Sequence, residues 1–257
     1  MPGSGACRRR RPGGRATRIG WVGALLALAW PAAADPLEAA LERLRSPEVL
    51  VSDAAVDELV ALGAPAVDAL LPLLDDEGRD VRAGAIRGLG LLGDRRAAAP
   101  LRERLEASLA PGPPDDLTAR YHRILLAQAL GRLRDAEATP LLLRLAASGD
   151  PFERAHAAIS LFLSDADPGY DRLRACLEDA DPAIRCLAVR GAGESGREAA
   201  LELMLPLAED PSWLVRDAVF RALAPFATRP EAREAYRRGG SDPSWYVRRT
   251  VAEIVPE

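Results

Sequence analysis

Few side chains in this sequence are of a type that does chemistry. There are two histidines, His122 and His156, and three cysteines among 257 residues. Two histidines cannot complete a metal shell, and neither H-E-x-x-H nor C-x-x-C spacing occurs, so no metal site or cofactor is expected. No G-x-S-x-G elbow and no phosphate-cradling glycine loop is present, so no nucleophile has an evident base partner. Recognition is better represented than catalysis. Trp213 and Trp245 stand in two near-identical segments, Asp210-Pro211-Ser212-Trp213 and Asp242-Pro243-Ser244-Trp245. Trp and Arg are the residue types enriched at binding hot spots.

These side chains sit on a repeated element. The segment Val81-Arg82-Ala83-Gly84-Ala85-Ile86-Arg87-Gly88-Leu89-Gly90 returns as Ile184-Arg185-Cys186-Leu187-Ala188-Val189-Arg190-Gly191-Ala192-Gly193, and again from Val215. Aligning the copies on arginine gives Arg82, Arg123, Arg154, Arg185, Arg216 and Arg248, at intervals of 41, 31, 31, 31 and 32 residues. The long interval holds a Pro/Gly-rich stretch from Ser108 to Asp116, which is expected to be a loop.

Each unit is expected to be two helices. Leucines at i, i+3 and i+4 (Leu141, Leu142, Leu145 in one copy) mark the first helix. The pairs Asp150-Pro151, Asp181-Pro182, Asp210-Pro211 and Asp242-Pro243 mark the start of the second, because Asp caps a helix and Pro suits its first turn. A further pair from about Pro36 to Gly63 carries Ala55 at the aligned position, the atypical end of a stack. Period-2 alternation is absent, so no sheet is expected. Neighbouring pairs are expected to share one continuous interior.

An Asp precedes each aligned Arg: Asp76, Asp116, Asp150, Asp181, Asp210 and Asp242. Stacking would bring an Arg of one unit to the Asp of the next, a bidentate contact that fixes register. Between the small residues of the second helix, the variable position runs Arg87, Gln128, Ile159, Arg190, Arg221 and Glu253. If second helices line a concave face, this is a partly basic stripe suited to a protein partner with an acidic surface. Two readings stand side by side: Arg87, Arg190, Arg221, Trp213 and Trp245 contact a partner, or the arginines are solvated and the tryptophans plug gaps between repeats. Cys176 lies about four residues before the turn that joins the two helices of one pair and Cys186 about five after it, and either a disulfide or two separate thiols fits this placement.

The pattern resembles HEAT repeats, specifically the short bacterial subclass of phycobilisome-lyase type, over about residues 36–256. The resemblance implies an all-α, right-handed solenoid of about seven antiparallel helix pairs whose second helices line the concave face. It leaves function open, since such proteins include scaffolds, adaptors, chaperones and a few bilin lyases. The expected function is a non-catalytic scaffold or adaptor; the alternatives are an enzyme or enzyme subunit of the bilin-lyase kind and a structural subunit of an envelope complex.

The N-terminus bears on compartment. Six arginines between Arg8 and Arg18, an apolar run from Ile19 to Trp30 and Pro31-Ala32-Ala33-Ala34 form the basic, apolar and small-residue zones of a secretory signal peptide. Residues 1–34 are therefore expected to be removed near Ala34 and residues 35–257 to form the repeat domain, periplasmic or secreted; an uncleaved anchor is the alternative. The whole chain has a net charge of −4, and losing six arginines and no acids leaves −10. So acidic a domain is unsuited to nucleic acid, and no span beyond the signal is expected to cross a membrane. All 34 basic residues are Arg.

Overall fold

A computed structural model describes residues 35–110 and 117–255. The expected signal peptide and Asp116 lie outside these residues. Fourteen α-helices form seven successive pairs, and no strand occurs among the described residues. The first helices of the pairs are α1 (Pro36–Leu44), α3 (Ala64–Leu70), α5 (Ala98–Ser108), α7 (Thr139–Leu145), α9 (Asp167–Leu177), α11 (Glu198–Met204) and α13 (Pro230–Gly239). The second helices are α2 (Val49–Leu62), α4 (Arg79–Leu92), α6 (Leu117–Arg132), α8 (Pro151–Leu163), α10 (Pro182–Glu194), α12 (Trp213–Ala222) and α14 (Trp245–Ile254). None is long and apolar enough to cross a membrane.

Helix boundaries follow local chemistry. Asp150 accepts from the Phe152 and Glu153 amides, and Asp181 from that of Ala183, each with Pro in the first turn. Asp210-Pro211 and Asp242-Pro243 depart from the expectation, because α12 and α14 begin three residues after each Asp. There the Asp carboxylates accept from the Ser212 and Ser244 amides at 2.8 Å, closing a turn ahead of the helix instead of capping it. Pro72 and Pro206 lack the amide that an α-helix needs, and both helices they follow tighten into 3-10 turns at Leu71–Asp75 and Leu205–Glu209. Gly93 ends α4 at φ 69°, a conformation that glycine adopts without steric cost.

Second helices pack directly on one another along the whole stack, and first helices touch their neighbours less. The row that packs closer lies inside the curve, so the second helices line the concave side. Small residues permit the approach. A methyl on Gly90 would lie 2.8 Å from the Ala129 Cα, one on Gly131 2.7 Å from the Ser160 Cα, and one on Gly193 2.7 Å from the Ala222 Cβ.

The interior is not one continuous core. Two buried clusters meet at α8, which gives Ala157 and Leu161 to the N-terminal cluster and Ile159, Phe162 and Leu163 to the C-terminal one. Phe162 stands in α8 at the aligned position that is Gly90, Gly131 and Gly193 in other second helices, and it packs in the C-terminal cluster.

Candidate functional site

The aligned arginines make a common contact that sequence spacing did not reveal. In five copies Nη1 reaches back to carbonyls six and five residues earlier: Arg82 to Asp76 and Glu77, Arg154 to Ser148 and Gly149, Arg185 to Asp179 and Ala180, Arg216 to Asp210 and Pro211, and Arg248 to Asp242 and Pro243. Each arginine thus satisfies carbonyls in the turn between its own two helices.

Contacts between repeats are more selective. Arg185 grips Asp210 through Nε and Nη2 at 2.8 and 2.9 Å, and Arg216 grips Asp242 at 2.7 and 2.9 Å. That hydrogen bonding holds the Asp242 carboxyl below the usual carboxylate range and pushes Arg216 up. Arg123 departs from the pattern: it pairs at 2.7 Å with Glu153, not Asp150, and the pair is buried, with side chains 6% and 3% exposed. Asp150 is taken by Arg120 at 2.8 Å. Asp181 is occupied in capping α10, and Arg154 donates within its own turn. The partners therefore sit six residues before the next Arg (Asp210, Asp242), and the helix-capping Asp at minus four is a separate position.

The concave face carries two cavities. One, of about 380 Å³, reaches from Asp53 and Asp57 on α2 across Arg87, Gln128, Arg132 and His156 to Arg190 on α10. The other, of about 930 Å³, runs from Phe152 on α8 across α10 to Arg221 on α12. Both are lined by His156, Leu187, Arg190 and Glu194, so they form one groove. The walls of the smaller cavity follow helical periodicity, with most lining residues two, five and nine places after the aligned Arg, or i, i+3 and i+7, and the larger cavity adds residues two places before it, Phe152 and Leu214. The stripe expected from sequence is the middle column. His156, Leu187, Arg132, Leu163 and Glu194, in the flanking columns, were not singled out as groove residues, although the same alignment places them one helical turn away.

Charges in the groove are unequally satisfied. Arg87 pairs with Asp53. Arg221 pairs with Asp217 at 2.9 Å and donates to Thr250 at 2.7 Å. Arg132 on α6 reaches over α8 to Glu194 on α10 at 3.2 Å. Arg190 is exposed and makes no hydrogen bond or ion pair with the described residues. His156 is buried at the groove floor, where Gln128 Nε2 lies 2.9 Å from its Nδ1. Burial, with Arg190 and Arg132 adding positive charge nearby, lowers its pKa to about 4. The two histidines are not brought together, since His122 Nε2 lies 3.2 Å from the Arg79 carbonyl on α4. No cluster of metal-ligating side chains occurs among the described residues.

Trp213, Tyr246 and Trp245 line neither cavity but stack on one another at centroid distances of 4.7 and 4.1 Å. Trp213 therefore does join neighbouring repeats, through Tyr246, yet the trio stays open to solvent, with Trp245 51% exposed. Tyr246 was not singled out from sequence. It stands two residues before its Arg, as do the exposed Tyr121, Phe152 and Leu214. Cys176 and Cys186 are free thiols. Cys176 sits among Asp179, Arg154 and Arg172, whereas Cys186 lines the groove beside Asp210 and Arg190. They face opposite neighbours, and burial pushes both thiols up.

The chain resembles the solved complex of CpcE and CpcF of phycocyanin lyase from Nostoc sp., at 18% identity over 88% of this chain and 98% of that one, with a TM-score of 0.54. Human deoxyhypusine hydroxylase in complex with glycerol also matches at 18% identity, over 85% and 94% of the chains, at a TM-score of 0.38. The comparison with curated proteins finds no match. At such identity the lyase complex speaks to fold alone. The family model for HEAT repeats matches residues 18–111 and 170–255, and with the stacked helix pairs described above it places this chain in the HEAT-repeat family.

Proposed function

We propose that this chain is an exported, non-catalytic scaffold that holds a protein partner along its concave groove. The groove carries the reading: it extends from α2 to α12, crosses six successive second helices and alternates charged with apolar lining. An extended surface shared by many repeats suits a polypeptide better than a small molecule. Export is supported by the basic, apolar and Ala-rich zones of residues 1–34. Reversing Arg87, Arg190 and Arg221 to Glu together is expected to abolish partner capture, with the melting temperature lowered by only a few degrees. Retained capture contradicts the groove as the binding surface. N-terminal sequencing of the periplasmic protein should begin at Asp35.

A second reading, a subunit of a lyase-type enzyme, is favoured by the likeness to the phycocyanin lyase complex. Incubation with a free tetrapyrrole and an acceptor protein separates the two. A coloured covalent adduct supports the lyase reading, and its absence supports the scaffold.

A further inference from the structure

We infer that the middle of the groove is a carboxylate-binding site, in which Arg190 and His156 receive one Asp or Glu side chain of a peptide segment whose next apolar residue enters the larger cavity. This rests on the groove being the partner surface and names what that surface recognises. Arg190 lines both cavities, is exposed, and makes no ion pair or hydrogen bond with the described residues. Glu194 and Asp217, which line its cavities, are already engaged, Glu194 by Arg132, and Asp217 by Arg221 and Thr250. Asp53 is held by Arg87, and Asp57 lies at the far, α2 end. A guanidinium left open in this way accepts a carboxylate through two parallel hydrogen bonds.

His156 supplies the second donor. Its buried ring is neutral at pH 7, and Gln128 Nε2 occupies Nδ1 at 2.9 Å. The proton therefore sits on Nε2, a donor that no described residue takes, in a side chain lining both cavities. Ring and guanidinium thus offer donors from adjacent second helices, α8 and α10, with Leu187 between the two cavities as an apolar wall. The larger cavity continues past Phe152, Leu214 and Pro225, which provides for an aliphatic or aromatic side chain beside the acid.

The test is an array of synthetic octapeptides of randomised sequence, probed with the full chain and with two variants. The wild-type chain is expected to select peptides with Asp or Glu followed by a large apolar residue. Replacing that acid by its amide should weaken binding about tenfold or more. Arg190→Gln, at an exposed position, should lose the preference for acid over amide. His156→Asn keeps an acceptor for Gln128 but removes the Nε2 donor, and should weaken acidic peptides about threefold. Selection of peptides without acidic preference, or an acid preference that survives Arg190→Gln, overturns the carboxylate site and leaves the groove standing. Failure of any peptide to bind the wild-type chain overturns both.

Discussion

At the scale of single residues, the decisive distinction is between arginines that hold the stack together and arginines open to a ligand. Arg216 belongs to the first kind, because its pair with Asp242 is mostly shielded, with side chains 14% and 7% exposed. Asp242→Asn is expected to cost about 2 kcal/mol in urea unfolding, since it leaves a guanidinium without its anion. Asp75→Asn, which breaks the exposed pair with Arg104, should cost about 0.5 kcal/mol or less. Equal losses would contradict the register role of the shielded pairs. The pH dependence separates two groups. Because the Asp242 carboxyl is lowered in the folded chain, its stabilisation is present above the ordinary carboxylate pKa and is lost as pH falls through the folded value. His156 titrates at about 4 when folded, against 6.5 for a free histidine, so the unfolded chain gains a proton first. Stability should fall by about 3 kcal/mol between pH 6.5 and 4, and His156→Asn should flatten that portion of the curve. An unaltered slope in the variant would show that the ring is not buried neutral. The aligned arginines were legible in the sequence, but their carbonyl contacts were not: spacing finds a partner side chain and is blind to the backbone of the turn it crosses.

At the scale of the element, small residues on second helices set how close successive repeats come. Alanine for glycine inside a helix ordinarily stabilises by about 1 kcal/mol. Gly131→Ala should instead destabilise by about 1–3 kcal/mol, because the added methyl meets the Ser160 backbone. Gly88→Ala meets only the end of the Leu70 side chain, which can turn aside, and should be close to neutral. Thermal unfolding of the two variants checks the contrast, and a stabilised Gly131→Ala chain would rule out tight packing of α6 on α8. The helices themselves were legible from leucine periodicity and the Asp-Pro pairs. The starts of α12 and α14 were misplaced because one dipeptide serves two purposes. At minus four from the Arg, Asp caps a helix; at minus six, the same Asp-Pro closes a turn and receives the previous repeat's Arg.

For the whole molecule, repetition predicts architecture better than cohesion. A single period accounts for most of the seven helix pairs, yet the buried apolar residues fall into two clusters that meet at α8. Repeat arrays lose two-state behaviour when parts of the interior pack as separate clusters. A large-to-small substitution in the C-terminal cluster, Phe220→Ala, should therefore split urea unfolding into two phases, with amides of α10–α14 exchanging before those of α2–α6; a single shifted transition would show one cooperative core. The same organisation places the groove on the row of second helices, and there the functional account is most directly open to test. A photoreactive residue at Leu187, which lines both cavities, and one at Arg172, exposed on first helix α9, would be cross-linked in cells that contain the natural partner. The account predicts a discrete adduct from position 187 that disappears with Arg190→Glu and no adduct from position 172. An adduct formed from position 172 but not from 187 would contradict it.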